Sequence, residues 1–370
     1  MTDAPTTLPP GGPELPRRPS RRRQVIRAAV SLAIVVLIFF GVMPQITDLS
    51  EVWADIRAMT PIELASLGLF ALWNLITYQF VIVAASPGLK LSQAFVMTQA
   101  TTAISNTVPA GSAIGIGVTY AMYSSWAFSR AQGALYIMVA GVWNTFAKLA
   151  LPIFALALLL VTGQASAARV TAGLIGIGAL IGAVVLFWIM LRSDRGAYRV
   201  GNVAGRALTR VRRLFRRPPV RNLGGAAVSF REETIGLLRR RWLALSVATL
   251  VSHVSLFLVL LLALRHVGVS QEEVPWVEAL AVFAFVRLIT AVPLTPGGLG
   301  VVELGLTAGL VAAGGQRSEV VAAVLVYRVL TYVLPIFVGA FCYVVWRRKS
   351  SWHKPRADAP ATPVPAVEKP

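Results

Sequence analysis

The sequence predicts an all-α integral membrane protein with about six long transmembrane helices and two re-entrant helical hairpins arranged as an inverted repeat. Composition is the first reason. Of 370 residues, 56% are hydrophobic and only 14% charged, with a mean hydropathy of +0.68, values outside the soluble globular range. The second is a series of uninterrupted apolar runs. The third is a duplicated break: Thr107-Val108-Pro109-Ala110-Gly111-Ser112 and Ala291-Val292-Pro293-Leu294-Thr295-Pro296-Gly297-Gly298-Leu299-Gly300 are each followed, 42 to 43 residues beyond the first proline, by Leu-Pro-Ile-Phe with its proline at Pro152 or Pro335. Gly/Pro-interrupted apolar segments at corresponding positions of two halves mark a substrate site at a repeat interface.

The runs Val25–Phe40, Ile62–Ala85, Ala134–Val161, Val170–Leu191, Trp242–Leu264 and Val320–Trp346 reach or approach the roughly 20 residues that cross a hydrocarbon core. The first is marginal in length. No small-x-small cleavage pattern follows Phe40, so residues 25 to about 42 read as a retained helix rather than a signal peptide. The one cysteine, Cys342, excludes an intramolecular disulfide, and His253, His266 and His353 lack ligand spacing, so neither a metal nor any other cofactor is expected.

A formal charge of +19 in a soluble domain would suggest nucleic acid, but its placement argues against that partner. Residues 1–27 carry six Lys/Arg against two acids, residues 192–241 carry fourteen against three, and residues 347–370 carry six against two. The positive-inside rule places all three in the cytoplasm. The expected assignment is therefore a disordered cytoplasmic tail over 1–24, a membrane domain over 25–346, and a second disordered tail over 347–370, in a multi-pass protein of the cell membrane with both termini cytoplasmic. Between the repeats, 192–241 reads as a basic cytoplasmic loop. Within it Val200, Val203, Ala207, Val211, Leu214 and Phe215 recur at helical spacing among Arg206, Arg210, Arg212, Arg213, Arg216 and Arg217. That pattern describes an interfacial helix on anionic lipid, ending at Pro218-Pro219.

The charge map fixes the sense of the repeat. With the N-terminus inside, the loop holding Asp48, Glu51, Asp55 and Glu63 lies outside, so repeat 1 (about 62–161) enters the membrane from outside and repeat 2 (about 242–346) from inside. Residues 92–129 must then begin and end on the cytoplasmic side, and residues 275–314 on the outer side. Gln93 to Val108 is 16 residues, about 24 Å of helix against a core of roughly 30 Å. Hairpins that turn back within the membrane fit better than full crossings, and their tips must be buried in protein or line a wet cavity.

Chemistry concentrates at the second tip. Pro293 and Pro296 end the incoming half-helix, and Gly297, Gly298 and Gly300 permit positive φ before the next helix begins near Val301. Such a turn exposes N–H groups suited to a phosphodiester, or simply allows a tight turn to pack; the two readings are compatible. An ionised group at membrane depth costs about 2.5–3.5 kcal/mol on insertion scales, which makes Lys148, Arg287, Glu303 and Arg328 functional candidates. Arg287 and Arg328 suit phosphate through the guanidinium fork. Glu303 is expected to pair with one or the other, as a structural bridge, a gate or a proton-linked partner. Pro109 and Gly111 form the corresponding, plainer first tip; Asn106, Asn144 and Tyr120 are further polar candidates, and His253 reads as a helix-contact residue.

The run Phe285-Val286-Arg287-Leu288-Ile289-Thr290-Ala291-Val292-Pro293, then Pro296-Gly297-Gly298-Leu299-Gly300-Val301-Val302-Glu303 and Tyr327-Arg328-Val329-Leu330-Thr331-Tyr332, resembles the flippase-like transmembrane region of lysylphosphatidylglycerol synthases and their stand-alone relatives. The resemblance implies a protein that moves a lipid or lipid-linked headgroup between leaflets, and adds Tyr332 to the candidate substrate-binding set. Only 24 residues follow Trp346, so the soluble domain that attaches lysine to phosphatidylglycerol is not expected, and aminoacyl transfer is not carried over.

Three functions are compatible with these residues. A lipid transporter would take an anionic or phosphate-containing membrane phospholipid or lipid-linked headgroup. A secondary transporter of a small soluble anion would use the same cations. A non-transporting scaffold would instead hold a lipid-modifying enzyme or glycosyltransferase as partner. The sequence contains no nucleophile with a base and no Walker motif, and enzymatic activity is not expected.

Overall fold

The computed structural model describes residues 49–107, 111–163, 167–214, 222–291, 295–349 and Trp352. The expected first helix, the first tail, the second tail apart from residues 347–349 and Trp352, and Val108–Ala110 and Val292–Leu294 at the two breaks lie outside the described residues. The elements are α1 (Leu49–Ala58), α2 (Pro61–Ala85), α3 (Leu91–Thr107), α4 (Gly111–Ser125), α5 (Arg130–Val161), α6 (Ala167–Arg192), α7 (Asp194–Leu214), α8 (Leu223–Val267), α9 (Trp276–Ile289), α10 (Val301–Ala312), α11 (Arg317–Arg328) and α12 (Leu334–Arg348). Among the described residues the fold is all-helical.

Among the described residues four helices are long and apolar enough to cross a membrane: α2, α5, α8 and the continuous stretch from Arg317 to Arg348. Their starts follow from local chemistry. Thr60 caps α2, its hydroxyl accepting from Glu63 N while Glu63 Oε2 accepts from Thr60 N at 2.7 Å, and Pro61 supplies a first-turn residue whose missing N–H costs nothing. Ser129 and Gln132 repeat the device at α5. Large apolar side chains face outward: Phe337 and Phe341, one turn apart on α12, are 70% and 69% exposed. A surface of this kind belongs in lipid.

The helix pairs at the breaks are short. α3 and α4 have 17 and 15 residues, and α9 and α10 have 14 and 12, so each arm spans about 18–26 Å against a core of roughly 30 Å. Each pair folds back on itself and also packs against the opposite half: α3 lies along α12, and α9 along α5. Close approach sets the first of these contacts. A Cβ at Gly339 of α12 would lie 2.0 Å from the Gln99 carbonyl of α3, so only glycine fits. The first helices of the two repeats, α2 and α8, pack together along their lengths, with Asn74 Nδ2 donating to Ser255 Oγ at 2.8 Å.

The two Leu-Pro-Ile-Phe segments differ in backbone. Pro152 sits inside an unbroken α5, whereas Pro335 is preceded by a π turn over Val329–Val333, in which Leu334 N donates five residues back to Val329 O. The proline ring clashes with the carbonyl four residues earlier, and one inserted residue relieves that clash. The turn lies beside Arg328 and Tyr332.

The arginine-rich segment 192–241 holds a helix where the spacing of Val200 to Leu214 predicts one. Its described residues are almost wholly helical: α7 covers 194–214, and α8 begins at Leu223, some 19 residues before the apolar run at Trp242. Its 45 residues make a helix of about 68 Å, so it extends well beyond a membrane. No proline interrupts it, and Arg231 pins the projecting arm to α7 by an ion pair with Asp194 at 2.7 Å. The short helix α1, unanticipated in the acidic stretch before α2, packs on α11.

Candidate functional site

The two breaks meet. Asn106, at the end of α3, lies against the turn Pro296–Gly298 between α9 and α10. Gly297 there has φ 58°, and a Cβ on it would lie 2.3 Å from Tyr332 Cε2 and 2.7 Å from Asn106 Oδ1. Both the left-handed backbone and the close approach demand glycine. The Tyr332 hydroxyl donates to the Asn106 carbonyl at 2.6 Å, which ties the π turn of one half to the tip of the other.

Glu303 and Arg328 form the rigid part of the site. Gly300 precedes α10 and has no side chain to cap it, so Glu303 Oε2 reaches back to accept from Gly300 N at 2.8 Å, satisfying one free N–H of the first turn. Its other oxygen accepts from Arg328 Nε at 2.7 Å. The side chains are 0% and 7% exposed, so the pair is buried throughout. Arg328 Nη2 donates to the Gly297 carbonyl at 3.3 Å, and its guanidinium lies 4.4 Å from the centre of the Tyr332 ring. Of the two partners open to Glu303 in the sequence, the fold selects Arg328.

Beside this pair is a cavity of about 300 Å³, lined by side chains of both halves: Asn106 and Ser112 from the first tip, Lys148 from α5, Arg287 and Thr290 from α9, and Arg328 and Tyr332 around the π turn. Lys148 Nζ donates to the Thr290 carbonyl at 3.3 Å. Arg287 Nε is buried with no hydrogen-bond partner among the described residues. Three cations thus converge, and the carboxylate of Glu303 offsets one of them. Buried donors without acceptors cost free energy, so the cavity is complementary to an anion with several oxygens.

Among the sequence-predicted residues, Arg287, Gly297, Gly298, Arg328, Tyr332 and Lys148 line this cavity. Glu303 and Gly300 stand behind it, and Pro296 opens the turn. Gly111 is buried at the start of α4, where a Cβ would meet the Ile104 carbonyl at 2.2 Å; it is a packing position, and its neighbour Ser112 faces the cavity. Pro109 and Pro293 lie outside the described residues. Of the secondary polar candidates, Asn106 lines the cavity and Asn144 and Tyr120 do not. His253 packs within the helices, its Nδ1 2.9 Å from the Thr249 carbonyl. The sequence reading passed over Thr290, Thr295 and Ser112; a hydroxyl beside each glycine-proline break was the available signal.

Among the described residues, four helices long and apolar enough to span a membrane and a polar cavity lined by both halves of the chain define a multi-pass membrane protein with an internal polar site. The family model for the lysylphosphatidylglycerol synthase TM region matches residues 24–339, and the chain belongs to this family. A comparison with curated proteins gives no match.

Proposed function

We propose that the protein is a lipid transporter of the flippase type, which moves an anionic or phosphate-containing lipid, or a lipid-linked headgroup, between leaflets. The observation that carries this reading is Arg287, whose Nε is buried without a hydrogen-bond partner among the described residues, beside Lys148 and Arg328 in a cavity about 300 Å³ in volume, a size at the lower end of small-ligand sites and suited to a headgroup. Membership of the family supports the same reading. In it, α3–α4 and α9–α10 are re-entrant hairpins of an inverted repeat that enter from opposite faces. The crosswise packing of α3 on α12 and α9 on α5 supports this, and alternating access would follow from rocking one half against the other. The three basic regions orient both termini and the α7 segment toward the cytoplasm of a cell membrane. The protein's part is transport rather than catalysis.

Reconstitution into liposomes tests the reading. Fluorescent phospholipids and polyprenyl phosphates should exchange between leaflets faster with the wild-type protein than in protein-free vesicles. Uptake of a small soluble anion with no lipid exchange across the panel would replace the lipid reading with that of an anion transporter.

A further inference from the structure

A second site lies away from the midplane cavity, where α7 meets the start of α8. One face of α7 presents Arg206, Arg210 and Arg213 at helical spacing, and with Asn202 and Asn222 they line a cavity of about 730 Å³. Arg206, Arg210 and Arg213 form no ion pair with a carboxylate among the described residues. The two helices come together through glycine: a Cβ on Gly201 would lie 2.4 Å from the Leu223 carbonyl and 2.8 Å from Ala227 Cβ. Leu223 is therefore held as a partition.

On the other side of Leu223 is a cavity of opposite character. It measures about 620 Å³ and is walled by Met138, Phe146, Phe187, Met190 and Phe230, with Leu223 common to both cavities. Beyond Phe146 a further apolar cavity of about 530 Å³ continues between α5, α6 and α8 toward Phe154 and His253. From Met138 to Phe154 the slot follows α5 for 16 residues, about 24 Å, which exceeds the roughly 15 Å depth of one leaflet's hydrocarbon. The cationic compartment thus adjoins, at Leu223, an apolar slot long enough for an extended acyl chain.

We infer that this composite cavity is a binding site for one anionic glycerophospholipid, its phosphodiester among Arg206, Arg210 and Arg213 and an acyl chain between α5, α6 and α8. The occupant follows from the chemistry of the two ends: guanidinium groups match phosphate oxygens bidentately, and a slot lined mostly by apolar side chains favours hydrocarbon. The site stands whether or not the midplane cavity moves lipid, and its test reads binding rather than transport.

The full-length protein in phosphatidylcholine nanodiscs would be irradiated with trace phosphatidylglycerol carrying a photoreactive acyl chain, and the labelled peptides mapped by mass spectrometry. Label should fall on α5 and α6 near Met138, Phe187 and Met190, and excess phosphatidylglycerol should compete where phosphatidylcholine does not. The triple variant Arg206→Ala, Arg210→Ala, Arg213→Ala should lose the anionic preference. Each arginine near an anionic surface contributes about fivefold, so the three together amount to on the order of a hundredfold. Gly141→Leu provides an independent arm. Gly141 lines the apolar cavity, and a Cβ there meets nothing within 4 Å, so the variant fills the slot without a clash and should abolish labelling while the protein stays folded. Equal labelling by a matched phosphatidylcholine probe, insensitive to the triple variant, would overturn the inference. Competition by soluble glycerophosphate as effective as that by phosphatidylglycerol would overturn its acyl half.

Discussion

Replacing Glu303 by Leu leaves the Arg328 guanidinium in a protein interior with its strongest acceptor gone, and also frees the Gly300 N–H. The distances of 2.7 and 2.8 Å and the near-complete burial of both side chains place this among buried pairs, for which removing one partner costs about 3–5 kcal/mol. Arg328→Met is expected to cost a similar amount, since it strands a carboxylate that is 0% exposed. The double variant removes both charges at once and puts apolar atoms in their place, so its cost should fall clearly short of the two single losses added. A double-mutant cycle should then give a coupling of about 2–3 kcal/mol, at the upper end of values for contacting residues. Reversible denaturation of the purified protein in bicelles supplies the four free energies. Additivity within about 0.5 kcal/mol, the behaviour of independent sites, would refute the reasoning that this pair holds the second tip together.

Three smaller perturbations probe other parts of the account. Gly297→Ala places a methyl on the Tyr332 ring at a φ of 58°, and should destabilise the protein by about 2–4 kcal/mol from left-handed strain and overpacking, read in the same denaturation assay. Lys148→Met removes one of three cavity cations with little change in volume, and should weaken binding of a water-soluble glycerophosphate headgroup analogue by about tenfold, measured by calorimetry. Burial raises the carboxyl pKa of Asp55 on α1 from its ordinary value. The folded chain then binds more protons than the unfolded one above that value, and stability falls as pH rises through the raised pKa; Asp55→Asn should therefore be more stable than wild type at pH 7, the advantage vanishing below the ordinary aspartate value.

Hydropathy located α2, α5 and the final Arg317–Arg348 span to within a few residues of their ends, because in a membrane the apolar stretch and the helix are nearly the same object. The two breaks were legible for a related reason: proline and glycine within an apolar segment interrupt a helix. Apolar runs did not reveal where α8 begins, since its first turns are amphipathic and arginine-rich, held by Arg231 on Asp194 rather than by lipid. α1 escaped because a ten-residue helix in an acidic stretch has too few turns for its periodicity to stand out. At the site, the ionisable residues announced themselves by their cost, but their pairing did not. Arg287 and Arg328 are equivalent in composition, and only the π turn before Pro335 together with the glycine turn at 297–300 decides that Arg328 reaches Glu303. That decision leaves Arg287 Nε without a hydrogen-bond partner among the described residues, beside the cavity. The two tips also share one cavity rather than forming two sites, a consequence of the crosswise packing of the halves that no local motif encodes.

Arg287 is where the account is most exposed. Its guanidinium lines the cavity without holding the Glu303 pair or the glycine turn, so Arg287→Gln should leave folding intact and remove the anion's partner. Leaflet exchange of fluorescent phosphatidylglycerol in liposomes, compared between wild type and Arg287→Gln at equal protein incorporation, measures this directly. A loss on the order of tenfold to a hundredfold is expected, the worth of one charge-assisted contact to phosphate. Exchange at the wild-type rate would contradict it.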